Sequence, residues 1–232
     1  MMAFIFLILF SSLVFAEPCG PQEIYVREQW IKAYPKSDGT KVAAHMRSAH
    51  CREIERSNYF QDSTNQKFTN IKPKIKKWDP TEKSIVQEAL ALLPPWLSKY
   101  HLTEILRGDV GGHPLNPAAS VAPTRTLLIF DRFFKEKDKR AVIIHEMAHI
   151  ALPSIDPGLK FEFALASGWN LNENNKLIPP SKLLMPDSKD SINEDLTNYI
   201  ETYYTDSTRL MTFNLLSFLA VKKIIESKEN DR

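Results

Sequence analysis

Three polar residues stand inside an otherwise apolar segment, Arg140 to Leu152, which reads RAVIIHEMAHIAL. They are His145, Glu146 and His149, in the order H-E-x-x-H. On an α-helix residues i and i+4 share a face, so two imidazoles at this spacing can aim at one ion with the carboxylate beside it. A helix with these flanks is buried, and burying all three groups without a cation is costly. Zinc removes that cost. His145 and His149 therefore read as ligands of Zn2+, and Glu146 as a general base acting on a metal-activated water.

Catalytic zinc takes three protein ligands and a water, so a third ligand must come from elsewhere. An HExxHxxGxxH extension is absent, because Ile-Ala-Leu-Pro-Ser-Ile-Asp follows His149. Ser191 to Tyr204, SINEDLTNYIETYY, offers a later helix that Ser191 or Asn193 would cap. Its Glu194, Asn198 and Glu201 share one face at i, i+4 and i+7, aligning a ligand, a partner for an imidazole and a further carboxylate. Glu194 is the expected ligand, with Asp195 and Glu201 as alternatives.

In these residues the chain resembles the gluzincins, HExxH zinc peptidases whose third ligand is a Glu on a downstream helix. The resemblance runs from Thr126 to Tyr204 and implies a zincin-like domain that hydrolyses peptide bonds. In that family an acidic residue four positions after the ligand often holds the first His. Here that position is Asn198, whose amide oxygen would accept the His145 N–H without a charge. The substrate of zincins lies extended along an edge strand, and by position Thr126 to Asp131 resembles that strand. Donors to the developing oxyanion are sought among His113, Tyr199, Tyr203 and Tyr204.

The elements that must position these groups form an α+β pattern. Asp79-Pro80 followed by Glu82 marks a helix start, and its apolar face runs to Leu93 before Pro94-Pro95. A second short amphipathic stretch continues through Leu106, and Gly108 to Pro123 reads as a loop. Thr126 to Phe130 is a compact apolar run expected as a buried strand. Pro153 stops the HExxH helix. Leu210 to Ile225 is a packing helix, too short and too interrupted by Lys222 and Lys223 to span a bilayer.

Before these elements, Ala3 to Ala16 is an apolar run ending in a small residue, which reads as a signal peptide cleaved after Ala16 and implies a secreted or periplasmic protein. In an oxidising compartment the only two cysteines, Cys19 and Cys51, are expected to pair. Between them Glu23 to Tyr34 and Lys41 to His50 flank the turn sequence Ser37-Asp38-Gly39, giving a β-hairpin that the disulfide would close. Ile24, Val26, Trp30 and Tyr34 fall on one face of its first strand, and Val42, Ala44 and Met46 on one face of its second. Tyr34 to Ser48, YPKSDGTKVAAHMRS, resembles a short motif of bacterial secreted proteins that implies no chemistry. His45, Arg47, His50 and Arg52 would be solvated or would touch a cell-wall polymer. The expected division is thus a signal peptide (1–16), a hairpin segment (17–60), a linker (61–78) and a zincin-like domain (79–232).

Thirty Lys and Arg against 28 Asp and Glu leave a net charge of +2, which gives no case for nucleic acid or an acidic membrane as the partner, since those need clustered basic surface; the short run Lys72 to Lys77 is a local exception read as a solvated linker. A peptide or protein substrate is the expected partner. Two functions fit: a secreted zinc-dependent endopeptidase, and a secreted surface or wall-binding protein with a structural or vestigial metal site. Glu146 separates them, since a structural site has no use for a base beside its ligands.

Overall fold

The computed structural model describes residues 23–26, 29–31, 33–36, 40–48, 50–53, 60–61, 73–109, 116–173 and 176–230. Two compact units divide after Ile54. The expected signal peptide, Cys19 and so its pairing with Cys51, the Ser37-Asp38-Gly39 turn, His113 and most of the expected linker lie outside the described residues.

The first unit is an antiparallel ribbon. β1 (Glu23–Val26) pairs with β6 (His50–Glu53), β2 (Gln29–Ile31) with β5 (His45–Arg47), and β3 (Tyr34–Pro35) with β4 (Lys41–Val42). Every pair lies symmetrically about position 38, so one register runs through all three ladders. In the Cα register Trp30 stands opposite Met46 and Tyr34 opposite Val42.

In the second unit a mixed sheet runs in the order β10 (Ala118–Val121), β11 (Thr126–Ile129), β9 (Glu104–Gly108), β7 (Phe60–Gln61), with β8 (Ile75–Lys76) also on β9. β11 is parallel to β9 and antiparallel to β10. Being central, it is buried along its whole length, and after Thr126 it reads as an apolar run. Ile105, Leu127, Ile129 and Ala118 face the helical core, while Leu106, Leu128, Phe130 and Ala119 form a smaller cluster on the other face. Gly108 is required beside that cluster, because a Cβ there would stand 2.8 Å from the Phe130 ring.

Three expectations fail here. The amphipathic stretch expected to continue through Leu106 ends in a strand, since Glu104 to Leu106 belong to β9. The loop expected over 108–123 contains the edge strand β10. The linker expected over 61–78 contributes Gln61 and β8 to the sheet, and its Trp78 is buried, donating from Nε1 to the Ile105 carbonyl at 3.2 Å.

Helices start where short acceptors satisfy the free amides of the first turn. Asp79 caps α1 (Pro80–Ala91), Asp138 caps α3 (Lys139–Ala151), Asp156 caps α4 (Pro157–Ser167) and Ser191 caps α5 (Ile192–Thr205). α2 (Pro95–Ser98) is a single turn that buries Trp96 and Leu97. Gly168 ends α4 at φ 95°, a left-handed conformation that suits glycine. The expected helix over 210–225 is two: α6 (Ser207–Phe213) and α7 (Leu215–Asn230), broken at Asn214, whose side chain accepts from the Leu216 and Ser217 amides. α3 is the hub. It packs against β10, α1 and α5, burying Ile143, Ile144, Met147, Ala148, Ile150 and Ala151.

Candidate metal centre

Because α3 and α5 pack side by side, the i, i+4 pair on one helix meets the first turn of the other. His145 Nε2 lies 3.0 Å from Glu194 Oε1, His149 Nε2 lies 3.2 Å from Glu194 Oε2, and the two Nε2 atoms are 3.2 Å apart. These three residues form a group with the donors to hold a metal ion. Ligand atoms about 2.1 Å from a tetrahedral ion stand about 3.4 Å apart, so the triangle is nearly of the size a zinc-like ion needs. Two imidazole nitrogens and one carboxylate are also a donor set that such an ion takes.

The electrostatics point the same way. Burial works against charge on His145, but the Glu194 and Glu201 carboxylates that it touches, with Glu146 nearby, outweigh burial and raise its pKa to about 10. Burial also opposes charge on Glu194, yet the two imidazoles hold its carboxyl well below the usual range. The pocket thus stabilises positive charge between its carboxylates.

Glu146 is almost fully buried and faces the same cleft. Among the described residues its carboxylate has no hydrogen-bond donor, so its lone pairs remain open toward the cleft. This cavity, of about 1160 Å³, runs between β10 on one side and the Met185–Asp190 segment and α5 on the other.

Of the expected site residues, the fold brings His145, Glu146, His149 and Glu194 together. Asp195, an alternative ligand, turns the other way: it is buried and accepts from Trp169 Nε1 at 2.9 Å. Glu201, the other alternative, takes the place expected for Asn198, accepting from His145 Nδ1 at 3.2 Å. Asn198 donates instead to Asp187 and Ser188, at 2.8 and 3.1 Å. The tyrosines do not line the cleft. Tyr199 packs edge-on to Phe163 in the core, where burial pushes its hydroxyl up to about 12, Tyr203 stacks on Phe218, and the Tyr204 hydroxyl accepts from Trp96.

The edge strand is also not where the resemblance put it. Thr126 to Ile129 is central, and β10, next to the site, ends the sheet among the described residues. Sequence reasoning missed three further contributors: Ala118 to Ser120 and Lys160 in the cleft wall, and Thr197, whose hydroxyl lies 3.4 Å from His149 Nε2. Thr197 stands three residues after Glu194 on the same helix, the one signal that pointed to it. Comparisons with protein-family models, curated proteins and solved structures returned no match.

Proposed function

We propose that the chain is a zinc-dependent endopeptidase of gluzincin type, with a zincin-like domain, exported by its N-terminal signal and acting on peptides or proteins. The observation that carries this reading is the closed triangle of His145, His149 and Glu194 with the unpartnered Glu146 in the same cleft. A purely structural site leaves Glu146 without a task.

Zinc held by His145, His149 and Glu194 would supply an activated water and polarise the scissile carbonyl. Glu146 takes the proton of the attacking water and returns it to the leaving amine. Glu201, bonded to His145 Nδ1, holds that imidazole in the tautomer that keeps Nε2 free for the metal. Among the described residues no strand pairs with the outer edge of β10 along the cleft, where an extended peptide would add as a further strand.

The test is metal analysis of the purified protein together with cleavage of a peptide library. Stoichiometric zinc and peptide cleavage, both lost in His149→Ala, are expected. Protein that neither retains zinc nor cleaves peptides when zinc is supplied would end this reading.

A further inference from the structure

Of the described residues that line the cleft, Lys160 alone is a Lys or Arg, while Glu146, Asp187, Asp190, Glu194 and Glu201 bring carboxylates. α4 does not account for this lysine. It is the fourth residue of the helix, near the end of the dipole that disfavours a cation. Asp156, four residues earlier, turns its Oδ1 to the Gly158 and Leu159 amides, at 2.8 and 3.1 Å. Among the described residues Lys160 forms no ion pair, so this half-buried side chain has one acceptor, the Leu152 carbonyl at 3.2 Å from Nζ. That carbonyl already accepts from the Ile155 amide at 3.1 Å, and closing the turn after α3 does not require the lysine. An ammonium has three donors, and this contact uses one.

The contact also fixes where the charge stands. Leu152 and Pro153 line the cleft with Lys160, and Leu152 follows His149 by three residues, about 4.5 Å along a helix axis. The ammonium is thereby tethered about one turn past His149. That is the scale of one or two residues of an extended peptide, which advances about 3.3 Å per residue.

We propose, resting on the peptidase reading, that Lys160 sets specificity by pairing with a carboxylate of the bound peptide close to the scissile bond. Two sources offer that group, an Asp or Glu side chain and a free C-terminus. Away from the metal centre, Asp187 and Asp190 on the Met185–Asp190 segment repel such a group, so Lys160 is where the cleft wall receives it. The pairing then fixes which peptide bond lies at the metal centre.

The experiment compares matched pools of neutral peptides that differ in one group: an added Glu, Gln or Lys, or a free in place of an amidated C-terminus. The zinc-supplied protein should cleave the Glu pool, the free-acid pool or both with kcat/KM about tenfold or more above the Gln and amidated pools, the scale of one charge-assisted hydrogen bond. On a peptide drawn from the preferred pool, Lys160→Met should raise KM and leave kcat, because the pairing holds ground and transition states alike. Lys160→Glu should move the preference to the Lys pool. A preference for Glu over Gln assigns the side chain, and one lost on amidation assigns the C-terminus. Unchanged zinc content and thermal unfolding show that the variants keep the fold. Binding is read separately, by anisotropy of the same pools carrying a neutral dye, on Glu146→Gln with and without Lys160→Met. No cleavage of any pool ends the peptidase reading. Equal binding of acidic and neutral pools by Glu146→Gln, an acid preference that survives Lys160→Met, or a preference of the parent for the Lys pool overturns the role of Lys160.

Discussion

The Glu201 carboxylate accepts from His145 Nδ1 at 3.2 Å, two helical turns beyond Glu194 on the same face of α5. One helix therefore grips the same imidazole through both of its nitrogens, Glu194 at Nε2 and Glu201 at Nδ1. A carboxylate there fixes the ring and raises its basicity as a ligand, which Asn198 would do without charge. Glu201→Gln should weaken zinc binding about 10- to 100-fold with the fold intact, measured by competition with a chromophoric chelator. Parental affinity in that variant would remove Glu201 from the centre.

Stability of the metal-free protein should depend on pH through the same pair. The His145 pKa is raised from 6.5 to about 10, so its stabilising contribution is complete below pH 6.5 and fades as pH rises toward 10. Glu194 is shifted down from 4.5, so its contribution is present above that value and fades in stronger acid. Chelator-treated protein should have its highest Tm between these limits and lose stability toward pH 10, a slope that His145→Gln flattens. Because zinc replaces the proton, added zinc should flatten it as well. An equal alkaline slope in His145→Gln and the parent would show that His145 is not its source.

The other cationic centre of the second unit is structural. Arg107 on β9 is nearly inaccessible and makes two hydrogen bonds of 2.9 Å to Glu82 on α1, with a third to Asp131 after β11. It ties the first helix to the sheet. Burial opposes its charge, but the two carboxylates more than offset this and raise its pKa further. Arg107→Met leaves Glu82 without its partner, while Asp131 keeps Lys76 at 2.7 Å, and should cost about 2 kcal/mol in urea unfolding. Zinc content should not change, since no residue of this cluster lines the cleft.

What was legible in the sequence follows the range of the forces involved. The caps Asp79 and Ser191 act within one turn, so those helix starts could be read locally. The HExxH spacing needs only one helix, and the shared face of Glu194, Asn198 and Glu201 only another. Which of the last two meets His145 depends on how α5 is rolled against α3, and a hydrogen bond from Asn198 to Asp187 helps settle that roll. Nothing local records it. β10 was hidden because Ala118, Ala119 and Ser120 are small and lack β-branching, and pairing with β11 rather than propensity makes them a strand. The apolar period over 210–225 runs through Asn214 without Gly or Pro, so the break between α6 and α7 left no mark. α4 did leave one, Asp156-Pro157 before and Gly168 after, and its Asp-Pro start is the signal that identified α1.

Catalysis and metal binding can be separated within the HExxH helix. Glu146 is next to His145 in sequence, but the group that could hold a metal ion joins His145 and His149 with Glu194 and not with Glu146. Glu146→Gln keeps the size of the side chain and removes only the proton acceptor. It should therefore retain zinc while peptide turnover falls by about two to four orders of magnitude. Glu194→Gln removes the anionic member of the triangle, and a neutral amide is a poor substitute on zinc, so this variant should lose the metal and activity together. Zinc content and turnover measured side by side on the two proteins decide the assignment. Turnover at the parental rate in Glu146→Gln would eliminate it as the base. Parental zinc affinity in Glu194→Gln would move the third ligand to Glu201, because Asp195 is committed to Trp169 in the core.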